Sequence, residues 1–307
     1  MKNRKNISTL FTAFAAFALL TTGCGAGASA DAVAEQKPQQ TSAQPNTQET
    51  DASKAKETQI SAEPIIVTVG VVGDNKDEWD KVNENLASEN ITVELVEFSD
   101  YNTPNRALND GEINLNAFQH YAFFNNEIAE FGYDLVSIGD TILAQLNLYS
   151  DKISSPDELK DGDSIAIPND ITNGGRALKN LETIGLIELD PAAGYTPSVN
   201  DITKNDLHLK FVELDAATIV PALPDVTAAI INGNYIVDNG MSTSDAIWQE
   251  SLENLAPDNP YINLIAARTE DKDNVIYAKV VEAYHQENVA KVILEKYNSA
   301  YIPVFPY

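Results

Sequence analysis

The residues Ser164–Leu178, SIAIPNDITNGGRAL, put an arginine where a helix gains nothing from one. Ser164–Ile167 reads as a short strand, and Pro168 ends it because proline has no N–H to give a ladder. Asn169, Asp170, Thr172 and Asn173 are turn and N-cap types, while Gly174 and Gly175 let the backbone come close to a neighbour. A helix is predicted from Arg176 to about Glu182, with Arg176 in its first turn. Unpaired N–H groups and the dipole favour an anion at that end, so a cation there weakens the helix. It makes chemical sense if the guanidinium fork grips a carboxylate through two parallel hydrogen bonds. An ion pair with a structural Asp accounts for the same residues, and this stretch alone leaves both readings open.

A second dense stretch is Asn116–Phe124, NAFQHYAFF, at a predicted strand-to-helix junction. Open α/β folds place ligands there, beyond the carboxyl ends of strands. Phe118, His120, Tyr121, Phe123 and Phe124 could wall an apolar pocket with polar tips, or pack as an aromatic helix on a sheet. Tyr101 in FSDYNTPN, Asn232 and Asn234 in NGNY, and Asn263 in YINLIAAR also lie near strands. Asparagines in such places form turns, or accept from an ammonium and donate to a carboxylate. One arginine, several asparagines, a histidine and many aromatics suit a zwitterion with an apolar side chain better than a sugar or a phosphate. There is no Walker P-loop, G-x-S-x-G, HExxH or zinc-type cysteine pair. The motifs hold no nucleophile–base pair, which disfavours an enzyme. His120, His208 and His285 have no metal-ligand spacing, so no metal or cofactor is expected, and His208 and His285 read as surface residues.

Strands alternating with helices must carry these residues. Order is predicted to begin at Ile65, with strands IIVTVGVV and ITVELVEF and a helix between them spaced through Trp79, Val82 and Leu86. Ile142–Ser150 reads as one long strand, and Lys272–His285 and Gln286–Tyr297 as helices. The alternation argues for an α/β fold with mostly parallel sheets. With 307 residues, 43% hydrophobic and 21% charged, the chain can form two domains or one large one. A net charge of −26 argues against a nucleic-acid partner, which requires a basic face. Cys24 is the single cysteine, so no intrachain disulfide can form.

The N-terminus reads as an export signal. Lys2, Arg4 and Lys5 precede an apolar and small-residue run, Ile7–Leu20, too short to span a bilayer comfortably. Thr21-Thr22-Gly23-Cys24 resembles a bacterial lipobox, with Thr21 where leucine is usual. Residues 1–23 are thus expected to be a lipoprotein signal peptide, and Cys24 the lipid-bearing (palmitate-type) first residue of a chain of net charge −29. Residues 24–64, rich in Ala, Gln, Ser, Thr, Glu and Pro, cannot bury a core and read as a disordered tether.

Taken in order, FSDYNTPNRAL, NAFQHYAFF, IPNDITNGGRAL, VTAAIINGNYIVDNG and NPYINLIAAR resemble the NlpA/MetQ family of methionine-binding lipoproteins, from about Val67 to the C-terminus. The resemblance implies a two-lobed, type II-like periplasmic-binding-protein fold with the ligand cleft between lobes. Lobe one would hold residues 65–141 and 239–307, and lobe two residues 142–238. It implies a ligand site of Tyr101, Phe118, His120, Phe123, Asn173, Arg176, Asn263 and one or both of Asn232 and Asn234. Phe123 stands where relatives often have Tyr, which removes a hydroxyl. The implied function is an extracytoplasmic, lipid-anchored substrate-binding protein that delivers L-methionine to the permease and ATPase of an ABC importer. Another apolar amino acid, a methionine-containing dipeptide, or a non-transport surface adhesin are the alternatives. The long tether suits a Gram-positive cell surface, with a Gram-negative inner-membrane site left open.

Overall fold

The structure, a computed structural model, describes residues 63–252, 259–297 and 300–307. The expected signal peptide, Cys24 and nearly all of the tether lie outside the described residues. The chain runs β1 (Ile65–Val72), α1 (Lys76–Leu86), β2 (Ile91–Phe98), α2 (Pro104–Asn109), β3 (Leu115–His120), α3 (Tyr121–Phe131), β4 (Leu135–Ala144) and β5 (Leu146–Tyr149). It continues through β6 (Ser164–Pro168), α4 (Ile171–Ile184), β7 (Glu188–Leu189), β8 (Ile202–Lys204), β9 (Lys210–Leu214), α5 (Ala216–Ala222), β10 (Ala228–Asn232) and α6 (Gly233–Asp238). It closes with β11 (Ile262–Arg268), α7 (Val275–Tyr284), α8 (Glu287–Lys296) and β12 (Tyr301–Pro303).

Two sheets organise two lobes. The first has the order β12-β4-β11-β3-β1-β2 and the second β5-β10-β6-β9, with β7 and β8 forming a small separate pair. β1 pairs in parallel with β2 from Ile65–Ile91 to Val72–Phe98, with α1 as the crossover between them. The second sheet is parallel through β10-β6-β9, as expected for α/β units. The first is mixed, because β11 runs antiparallel to both β3 and β4, and β12 antiparallel to β4. The strands that return late in the chain enter that sheet against the direction of β4, β11 between β4 and β3 and β12 at the edge, with α7 and α8 carrying the chain from one to the other.

Periodicity decides what each helix buries. Trp79, Val82 and Leu86, three and four residues apart, put one face of α1 on the core with Val280, Val289 and Ile293 of the last two helices. In lobe two, Ala177, Leu178 and Leu181 of α4 pack on Ile165, Ile167 and Leu148. Burying one such Leu is worth about 1.5–3 kcal/mol. α4 ends at Gly185, whose φ of +87° is the left-handed C-cap conformation that glycine adopts without strain. A third apolar cluster joins the lobes: Val72, Tyr101 and Phe118 meet Ile219, Ile231 and Tyr235.

The lobe boundaries differ from those expected. Ile142–Ser150 is not one strand. β4 ends at Ala144 in the first sheet, and β5 begins at Leu146 in the second. Leu143 pairs with Ile262 and Ile302, whereas Leu146 pairs with Asn232, so the crossing lies at Gln145 rather than between 141 and 142. Nor does the chain leave lobe two at 238, since Trp248 pairs with Leu148 of β5. It rejoins the first sheet at Ile262. Apolar residues continue across Gln145 with no turn residue to mark the change of sheet.

Candidate functional site

Arg176 is the residue whose setting differs most from expectation. α4 starts at Ile171, so Arg176 lies in its second turn. Asp170 is the N-cap, and its Oδ1 accepts from the N–H groups of Thr172 (3.2 Å) and Asn173 (2.8 Å). The helix start is therefore already capped from within the chain. Gly174 and Gly175 are helical, not turn, residues, and they permit close packing. A Cβ on Gly174 would meet the Pro168 carbonyl oxygen at 2.6 Å, and one on Gly175 the Thr196 Cα at 2.9 Å. Arg176 is buried, with Nε donating to Glu250 Oε1 at 2.9 Å and Nη2 to Glu250 Oε2 and to the Ala144 carbonyl, the latter at 2.8 Å. Its guanidinium lies over the Tyr261 ring, 4.3 Å from the centroid. The two-pronged edge thus faces an internal carboxylate, and Nη1 is left without a hydrogen-bond partner among the described residues.

His120 ends β3 and caps α3. Its Nδ1 accepts from the Phe123 N–H at 3.1 Å, and its Nε2 lies 3.2 Å from Asn173 Oδ1. With Nδ1 accepting, Nε2 carries the proton and donates, which defines one neutral tautomer. Burial, reinforced by the Arg176 charge, lowers the His120 pKa to about 4, so the ring stays neutral near pH 7. Asn173 Oδ1 also accepts from Asn232 Nδ2 at 3.0 Å, and Asn173 Nδ2 donates to Asp170. His120 belongs to the first lobe, and Asn173 and Asn232 to the second, so this network spans the cleft. Tyr101 spans it too, donating to Asn234 Oδ1 at 2.5 Å. Burial raises the Tyr101 pKa well above the ordinary phenol range, which keeps it a donor.

The cleft holds a cavity of about 70 Å³, several times the roughly 10–15 Å³ that one water needs. All nine ligand-site residues expected from the sequence line it: Tyr101, Phe118, His120, Phe123, Asn173, Arg176, Asn232, Asn234 and Asn263. Tyr101, Phe118 and Phe123 form a mutual cluster with ring centroids 6.0 Å apart. Asn263 sits opposite His120 in the β11–β3 register. Asn232 Oδ1 and Asn234 Nδ2 are buried, and among the described residues neither has a hydrogen-bond partner. One is an acceptor and the other a donor. Both asparagines therefore have a polar end to offer.

Glu250, Tyr261 and Gln145 were not singled out from the sequence. Glu250 sits in an acidic run, SDAIWQESLEN, where nothing distinguishes one carboxylate from another. Tyr261 lies inside the NPYIN motif, one signal that could have found it. The other histidines differ from each other. His208 is exposed beside Asp161, as expected. His285 is half-buried instead, 2.7 Å from the Asp140 carbonyl oxygen and stacked on Phe305.

A two-lobed α/β fold with a polar and aromatic cleft between the lobes defines the class of periplasmic substrate-binding proteins. The NlpA lipoprotein profile matches residues 67–305, and the chain belongs to that family. It is 39% identical over 245 residues to the D-methionine-binding lipoprotein MetQ of Salmonella typhimurium, covering 78% of this chain and 89% of the relative. A nutrient-binding protein from Burkholderia cenocepacia, solved bound to methionine, superposes with a TM-score of 0.74 at 38% identity, covering 78% of this chain and 100% of that one. Protein PG110 from Staphylococcus aureus gives a TM-score of 0.74 at 42% identity, over 78% of this chain and 94% of that one.

Proposed function

We propose that this chain is the extracytoplasmic, lipid-anchored substrate-binding component of an ABC importer, that it binds L-methionine between its lobes, and that it delivers it to a permease driven by an ATPase. The observation that carries the reading is a pair of buried ends without hydrogen-bond partners among the described residues, Asn232 Oδ1 and Asn234 Nδ2, in the cavity that Arg176 also lines. An acceptor, a donor and a cation match the ammonium and carboxylate of one zwitterion. Tyr101, Phe118 and Phe123 supply ring edges that suit a flexible thioether. Relatives described as methionine-binding, and one described as the substrate-binding protein of a methionine transporter from Streptococcus pneumoniae, support the same ligand class. Cys24 would carry the anchor, and residues 24–64 would hold the body away from the membrane, on a Gram-positive surface in this reading.

Titration calorimetry on the mature protein tests the proposal, with L-methionine, D-methionine and leucine as separate titrants. L-methionine is expected to bind most tightly, and Arg176→Ala to weaken it by about 2–5 kcal/mol. If leucine or D-methionine binds and L-methionine does not, the fold stands and the ligand assignment falls.

A further inference from the structure

The surroundings of Arg176 are built from Glu250 outward. Glu250 accepts from Arg176 Nε and Nη2, and its Oε2 also accepts from the Leu146 N–H at 2.8 Å. The Glu250 backbone is held on both sides: its N–H donates to Asn147 Oδ1 at 2.9 Å, and its carbonyl accepts from Gln145 Nε2 at 2.7 Å. Arg176 completes the enclosure through the Ala144 carbonyl and the Tyr261 ring. These contacts use Nε, Nη2 and one face of the guanidinium. Among the described residues, Nη1 has no hydrogen-bond partner. Arg176 lines the cavity, whereas Glu250 does not.

We propose that Glu250 is a positioning residue of the ligand site: it locks the Arg176 guanidinium so that Nη1 meets the ligand carboxylate, and it ties that arginine to the crossing between the lobes at Ala144–Asn147. The proposal rests on the ligand reading above. A long arginine side chain has many rotamers, and ordering one on binding weakens affinity. Two parallel hydrogen bonds fix the plane of the guanidinium before any ligand arrives. Glutamine at 250 could keep one acceptor, but its amide nitrogen would face either Arg176 Nε or both Arg176 Nη2 and the Leu146 N–H, donor against donor.

Two readouts test the lock. Without ligand, a nitrogen–proton correlation spectrum of native protein should show a slowly exchanging Arg176 Nε–H, identified by its loss in Arg176→Lys. Glu250→Gln should lose that protection, and retention would overturn the proposal. With ligand, calorimetry compares L-methionine and its methyl ester. The native preference for acid over ester should shrink by about thirtyfold or more in Glu250→Gln, with ester binding little changed. Glu250→Asp, which keeps the charge on a shorter arm, should fall between. Equal losses for acid and ester would make Glu250 merely structural. Tighter methionine binding in Glu250→Gln would make it a competitor for the arginine, and either result refutes the lock. Native protein that binds neither compound overturns the ligand reading instead, and the exchange measurement still judges the lock.

Discussion

Two buried groups should make stability respond to pH in opposite directions. Burial and the Arg176 charge lower His120 to about 4, from 6.5 for the unperturbed group. Glu78, on α1, is buried, its Oε2 has no hydrogen-bond partner among the described residues, and burial raises it from 4.5 to about 7. Between pH 6.5 and 4 the unfolded chain binds the His120 proton and the folded chain does not, so stability falls as pH drops through that window. Between pH 4.5 and 7 the folded chain keeps the Glu78 proton and the unfolded chain loses it, so stability falls as pH rises. At about 1.4 kcal/mol per pH unit, each displacement is worth about 3 kcal/mol, and in native protein the two nearly cancel. Glu78→Gln removes one side of the balance. By urea unfolding it should gain about 3 kcal/mol over native protein near pH 7.5, and almost nothing near pH 4.5. Glu127, which burial raises to about 7, is present in both proteins and drops out of the comparison. The same difference between variant and native protein at both pH values would refute the reasoning. It would mean that Lys296, 4.0 Å from Glu78 Oε2, holds the carboxylate ionised.

Three further outcomes are expected. Cys24→Ala should release the protein from the membrane fraction, and a variant that stays fully membrane-bound would remove the anchor assignment. Small-angle scattering should give a smaller radius with saturating L-methionine, through hinge motion at Gln145; an unchanged profile would mean a rigid cleft. Gly174→Ala should destabilise by about 1–3 kcal/mol in urea, because its Cβ would overlap the Pro168 carbonyl oxygen and push α4 off β6; an unshifted midpoint would show that the helix start can yield.

Much of this molecule is readable along the chain, because its signals are local. The alternation in ITVELVEF and the three- and four-residue spacing of Trp79, Val82 and Leu86 specify a strand and a helix face before any tertiary contact forms. The ordered motifs likewise picked out nine residues that line one cavity, since most sit at or beside a strand end or helix start marked by glycine, proline or asparagine. The lobe crossing was not legible. A polypeptide can pass from one sheet to another at Gln145 without changing its hydrophobic pattern, and pairing partners more than a hundred residues away decide where it does so. The partner of Arg176 was not legible either. In a chain with 46 acidic residues, no local feature distinguishes the carboxylate at 250. Only folding brings it against the arginine, 74 positions away, in a setting where burial removes competing water and makes that single pairing decisive.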